Sequence, residues 1–307
     1  MEPEGRLHRY SFSGTYFDLV STVQSAITLV MANCSIIMGL RFVGSNSLQR
    51  SIDECRVVDL DVHILLRSLR FSDYLMILGG LEKSLEISLP ETGIHIASVS
   101  SVHGLYKPAP LENGTRLLIH ALIADSKRYL EIDSTLRYAW KKYRPSIGSF
   151  DEVDTLACRP TLREVLHGPE GVMFYLRCIR AGCSQLGIIR EAQDHGVEEV
   201  TVQSREPSLL HELYTSSVVY KYRHLCRALG VLNERLNNVQ LVKRKNLIWE
   251  DAHHILTPSE TEALVLCVNS KDRLRNGSLE ELSNPMIEMK RRASLAFFES
   301  VAGRLDD

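Results

Sequence analysis

The 307-residue chain lacks the short motifs that name a chemistry. It has no GxSxG, which excludes a nucleophile elbow, and no HExxH, which excludes the helical zinc pair of a metalloprotease. It has no glycine-rich phosphate loop either. On these absences an enzyme is the poorer reading, and no cofactor is implied. CxxC pairs are also missing. The seven cysteines (Cys34, Cys55, Cys158, Cys178, Cys183, Cys226 and Cys267) are odd in number and scattered. That argues against a disulfide framework and predicts reduced thiols in an intracellular, reducing compartment. His253 and His254 follow Glu250 and Asp251, but adjacent histidines diverge on a helix and no other cluster has metal spacing, so no metal site is expected.

Long apolar runs are scarce. Residues 19–40 carry no charge, yet they include Ser21, Thr22, Gln24, Ser25, Thr28, Asn33 and Ser35. That is too polar for a bilayer span and predicts a buried helix followed by a strand, with peripheral membrane contact left open. Residues 1–14 hold no apolar signal region and read as a loose arm. The glycosylation-type triplets at Asn33, Asn113 and Asn276 are therefore read as chance. There is no internal repeat and no low-complexity tract. A net charge of −2 excludes a general polycation, so any nucleic-acid contact needs a local basic patch.

What is present suits a folded chain of one or two domains, with 44% apolar and 24% charged residues. Residues 15–32 space their apolar positions as a helix, and residues 34–43 favour a strand. In residues 57–66, Val58, Leu60, Val62 and Ile64 fall on one face and Asp59, Asp61 and His63 on the other. Residues 73–78, 85–89, 172–179 and 197–202 read as further strands, and residues 161–167 as a short helix.

The most informative stretch is 94–127. Ile94, Ile96 and Val99 belong to an alternating segment. Pro108 and Pro110 cannot continue a central strand, and Asn113-Gly114 supplies a turn. Residues 117–123 then form a buried strand that ends on Asp125, next to Lys127 and Arg128. Downstream lies the densest basic-aromatic segment. Lys127, Arg128, Arg137, Lys141, Lys142 and Arg144 stand among Tyr129, Tyr138, Trp140 and Tyr143. It could track a phosphate backbone with its rings stacked on bases, or be a solvated helix with its aromatics turned inward.

After residue 207 the period changes. Val218, Tyr222, Leu225, Leu229, Leu232, Leu236 and Val239 form an a/d seam, suited to self-association or to an intramolecular helix pair. Thr257, Pro258 and Glu260 open a capped helix, and a last helix is expected over residues 285–302. The expected layout is α+β: an arm over 1–14, a strand-rich core over 15–205 and a helical region over 206–307.

The pattern from Val99 to Asp133 resembles the thirty-kilodalton superfamily of plant-virus movement proteins. That family has a strand, a proline-containing loop, a glycine and a buried strand ending in Leu-x-Asp-x-Arg. Here Pro108 or Pro110, Gly114 and the run Ile123-Ala124-Asp125-Ser126-Lys127 would correspond, with only Asp125 matching the three motif positions outright. The resemblance covers residues 55–205. It implies a jelly-roll-like β-sandwich and non-enzymatic binding of single-stranded nucleic acid, RNA foremost. It also implies self-association, host or viral protein partners, and action in the host cytoplasm at plasmodesmata. Ile123, Asp125 and Lys127 would be the structural motif. Lys127, Arg128, Arg137, Trp140, Lys141, Lys142, Tyr143 and Arg144 would contact nucleic acid. Leu225, Leu229, Leu232 and Leu236 would serve oligomerisation. Two other classes compete: a sliding-clamp-like DNA-associated subunit, and a viral matrix or nucleocapsid-type assembly protein.

Overall fold

The computed structural model describes residues 14–44, 57–89, 109–110, 116–132, 134–230, 255–275 and 283–306. The chain divides into two compact units. The first holds Met1–Ile132, Trp140–Ala157 and Leu186–Val202, and the second holds Asp133–Ala139, Cys158–Gln185 and Gln203–Asp307.

The first unit is built on a mixed sheet. Helix α1 (Tyr16–Met31) opens on a capping box, in which Thr15 Oγ1 accepts from the Asp18 amide at 3.2 Å and Asp18 Oδ2 accepts from the Thr15 amide at 2.9 Å. Strands β1 (Ile37–Val43) and β2 (Val57–Leu66) pair antiparallel. Helix α2 (Phe71–Ser88) follows, then the edge pair β3 (Ala109–Pro110) and strand β4 (Arg116–Asp125). β4 runs parallel to β2 over ten register pairs, from Val57↔Arg116 to Leu66↔Asp125. With β5 (Pro145–Gly148) the order is β3-β4-β2-β1-β5. Pro110 sits on the outer strand, where its missing N–H costs no ladder bond. α1 packs on α2 and on β1 and β2. The β4 run is buried because a parallel inner strand is covered on both faces: Leu117, Ile119, Ala121, Leu122, Ile123 and Ala124 are all in the core.

Two short helices, α3 (Ser126–Glu131) and α4 (Ser134–Trp140), follow β4. Helix α5 (Asp151–Asp154) follows β5. Strands β6 (Ser184–Glu191) and β7 (Val197–Ser204) make a separate two-stranded ribbon.

The second unit is helical. It contains α6 (Leu162–His167), α7 (Val172–Ala181), α8 (Pro207–Leu229), α9 (Pro258–Arg275) and α10 (Asn284–Leu305). Its core joins Val165, Ile179, Val218, Leu225, Leu264, Phe297 and Phe298. Glu260 fixes the start of α9 and crosses to α10. It accepts from the Thr257 amide at 2.8 Å, from Ser300 Oγ at 2.7 Å and from Arg304 at 2.9 Å. Two lysines lie inside this unit. Lys290 donates to His211 Nδ1 at 3.0 Å, and Lys221 Nζ lies 3.2 Å from His224 Nδ1.

The α+β layout and the helical C-terminal region are as expected, but four details differ. Residues 73–78 and 85–89 are not strands. They form one helix whose buried positions, Tyr74, Ile77, Leu81 and Leu85, fall at steps of three and four. Packing against α1 outweighs the cost of Gly79 and Gly80, about 1 kcal/mol each in a helix interior. Residues 172–179 are helical too, with Val172, Tyr175, Leu176 and Ile179 buried and a stop at Gly182. A short apolar run rich in β-formers fits either period until its neighbours choose. The a/d seam is not one helix, since α8 ends at Leu229 and Gly230 takes a left-handed φ of 71°. Finally, the described strands form one open sheet and one ribbon, not two sheets face to face.

Candidate functional site

β2 is an inner strand, yet alternate residues along it are polar. Asp61 lies opposite Val43 on one side and His120 on the other, and His63 lies opposite Arg41 and Leu122. Asp59 precedes Asp61 by two residues and pairs in register with Leu118. The row passes from a buried block to an open rim.

The buried block centres on Arg41, which is fully buried. Its guanidinium donates to Asp154 Oδ2 at 2.7 Å and to the Tyr129 hydroxyl at 2.5 Å, and lies 4.1 Å from the Phe150 ring centroid. The Tyr129 oxygen also stands 3.1 Å from His63 Nδ1. Trp140 presses on His63 edge-to-face at 4.2 Å between ring centroids. Burial, then the Arg41 charge, then His120 hold the His63 pKa well below the ordinary histidine value. The imidazole is therefore neutral. Arg41 donates into the phenol oxygen, which lies within hydrogen-bonding distance of His63 Nδ1 as well. Among the described residues Arg41 Nε has no hydrogen-bond partner.

The rim begins one register step along the same face. Asp61 Oδ1 stands 2.9 Å from His120 Nδ1, with side-chain exposures of 27% and 18%. β1 ends beside it at Gly44, with φ 91°. A Cβ built there would fall 2.5 Å from Asp61 Oδ2, so the backbone passes as close to the carboxylate as glycine permits. The Tyr143 hydroxyl donates to the Gly44 carbonyl at 3.2 Å, and Lys142 Nζ lies 4.9 Å from the Tyr143 ring centroid.

The residues singled out from the sequence are distributed as follows. Ile123 is a core residue of β4. Asp125 caps α3, accepting from the Arg128 amide at 2.9 Å, which accounts for a carboxylate at a strand end. Lys127 is exposed. The Arg128 guanidinium is tied to the Val197 carbonyl. Arg137 belongs to the second unit. Trp140 is buried against His63, and so does not offer a face for base stacking. Lys141 donates to the Ala157 carbonyl at 3.0 Å. Lys142 and Arg144 are exposed on either side of Tyr143. In the second unit Leu225 is fully buried in the chain's own core and Leu229 is 41% exposed.

Leu232, Leu236, His253 and His254 lie outside the described residues, as do Ile94, Ile96, Val99, Pro108 and Gly114. Among the described residues no three or more histidine, cysteine or acidic side chains cluster for a metal. No described helix is long and apolar enough to cross a membrane. The six described cysteines are free, consistent with a reducing environment.

Asp61, His120 and Gly44 carry no role in the sequence reading. The available signal was a glycine-serine pair at the end of one strand and two carboxylates at alternate positions of the next. No family model matches the chain, and neither a curated protein nor a solved structure matches it.

Proposed function

We propose that the chain is a divalent-cation-dependent transferase acting on nucleotide phosphates, with Asp61 as the cation's anchor on the protein. One observation carries this reading: a part-exposed carboxylate on an inner strand, paired with His120 and set against a glycine turn. A magnesium ion is commonly held by one or two carboxylates and completed by water and substrate phosphates. Such a site needs no three-residue protein cage. In this reading an attacking hydroxyl oxygen forms a new bond to phosphorus. The bond to the leaving phosphate or pyrophosphate breaks, and a cation held at Asp61 would supply the charge that balances the departing group. His120, beside Asp61, would be the residue to accept the hydroxyl proton.

The test is transfer from a labelled nucleoside triphosphate with magnesium or manganese, run on the full chain and on Asp61→Asn. Cation-dependent turnover, reduced at least about a hundredfold in the variant, is expected. Absence of both nucleotide binding and turnover with either metal would overturn the proposal.

A second reading is the one the resemblance implies: a non-enzymatic movement protein that binds single-stranded nucleic acid and self-associates. The course of β4 favours it, a buried strand closing on Asp125 with exposed Lys127 beyond. Oligonucleotide binding without any nucleotide turnover, together with concentration-dependent multimers, is its signature.

A further inference from the structure

Of the cations in residues 127–144, Lys142 and Arg144 flank Tyr143, whose hydroxyl reaches the rim. The Tyr143 hydroxyl is bonded to the Gly44 carbonyl at 3.2 Å, and Gly44 abuts Asp61. Pro145 pairs with Arg41 across the β1–β5 ladder, which fixes where residues 142–144 meet the sheet. Lys142 lies over the Tyr143 ring at 4.9 Å, and Arg144 follows on the other side, exposed. The Tyr143 hydroxyl thus reaches, through Gly44, the carboxylate that the proposed function assigns to the metal, and exposed Lys142 and Arg144 flank that tyrosine in the chain.

We infer that Lys142, Tyr143 and Arg144 form a seat for single-stranded nucleic acid, holding the strand in front of Asp61. This inference rests on the transferase reading and deepens it by naming the acceptor class: an oligonucleotide, not a small alcohol or a protein side chain. The chemistry is that of sequence-tolerant single-strand recognition. The cations neutralise successive phosphates, while the ring takes a base and discriminates little between bases. The Tyr143 hydroxyl cannot both stay on Gly44 and read a base edge, so the seat selects for strand character and not for sequence. Arg128 and Lys141, held on backbone carbonyls, and Trp140, turned inward, are left out of it.

The experiment is fluorescence anisotropy of a labelled single-stranded oligonucleotide across a salt series. It uses the full chain and the variants Lys142→Ala/Arg144→Ala, Tyr143→Ala, Tyr143→Phe, Lys127→Ala and Asp61→Asn. Removing both cations should lower the slope of log affinity against log salt by about 1.4, at about 0.7 for each phosphate contact. Tyr143→Ala should weaken binding about tenfold, whereas Tyr143→Phe, which keeps the ring, should stay within about twofold. Lys127→Ala should behave as the parent. Asp61→Asn should retain oligonucleotide binding while losing turnover, which separates the two claims. If the double variant and Tyr143→Ala leave slope and affinity unchanged, the seat is refuted, and turnover by the parent would still uphold the transferase reading. A double-stranded probe bound as tightly as the single strand would also refute it. A circular dichroism spectrum matching the parent is required of each variant, so that a folding failure is not scored as lost contact.

Discussion

Gly44 and Asp61 face each other across the β1–β2 pair so closely that a single added carbon on the first would sit 2.5 Å from a carboxylate oxygen of the second. The left-handed backbone at Gly44, with φ 91°, adds a conformational reason for the same residue. Gly44→Ala should therefore cost about 1–3 kcal/mol of stability and push Asp61 away from His120. Urea denaturation reads the first effect and manganese binding the second. Unchanged metal affinity in a folded Gly44→Ala protein would show that the close approach has no bearing on the rim.

Arg41 holds the buried block together. Removing its side chain strands Asp154 and leaves the Tyr129–His63 pair without its charged donor. Arg41→Ala should destabilise the first unit by about 3–5 kcal/mol, the usual cost of breaking one half of a buried ion pair. Arg41→Lys should recover only part, since one ammonium cannot reach Asp154 and Tyr129 in the fork geometry of a guanidinium. Thermal denaturation of the three proteins checks the order parent, lysine, alanine. Equal stability of parent and lysine variant would contradict it.

Two buried histidines predict the direction of pH dependence. His63 is held well below 6.5, and His211 is lowered to about 3 by burial and by Lys290. In the unfolded chain both take up protons near the ordinary value of 6.5. Below that pH the unfolded state binds more protons, so stability is full above about pH 6.5 and declines as pH falls toward the folded values. The slope is about 1.4 kcal/mol per pH unit for each histidine. Urea denaturation at pH 7.5, 6.0 and 5.0 should show the decline, and His211→Gln should remove its share in the helical unit. An unaltered slope in that variant would mean that His211 is not the group responsible.

Glu260 ties the α9 start to α10 through Thr257, Ser300 and Arg304. Glu260→Ala should cost about 1–3 kcal/mol, because it leaves the Thr257 amide and the Ser300 hydroxyl without their acceptor, while Arg304, 37% exposed, keeps the Ile255 carbonyl. Glu260→Gln, which keeps the amide-capping oxygen, should cost less. A guanidinium melt of each variant distinguishes them, and no loss in the alanine variant would deny the tie any weight.

Much of the sheet could be read from the chain because its inner strands each carry a continuous or alternating apolar pattern and the breakers stand outside them. β4 is the plainest case, because its apolar run is short and follows the Asn113-Gly114 turn signal. α2 and α7 were harder, because a short segment that satisfies both an alternating and a helical spacing is decided by what packs on it. Gly79 and Gly80, between the two expected strands, are helix interior. The rim was visible only in halves. Asp59 and Asp61 read as the polar side of a strand, and polarity alone cannot tell a solvated side from a site. What distinguishes them is register: His120 arrives from β4, far along the chain, and Gly44 from the end of β1. The basic-aromatic segment shows the converse limit. Composition grouped its cations, but the Arg128 and Lys141 hydrogen bonds to carbonyls and the inward turn of Trp140 spread the segment over separate surroundings, and Tyr143 is its residue tied to Gly44.

The parallel pairing of β2 with β4 has a consequence for biosynthesis. When Leu66 leaves the ribosome, one edge of β2 can already be covered by β1, but the other must wait for residues 116–125. At about 5–20 residues per second, the roughly fifty intervening residues leave that apolar strand uncapped for about 3–10 s. A nascent chain of this protein should therefore recruit holding chaperones within that interval and shed them once β4 has emerged.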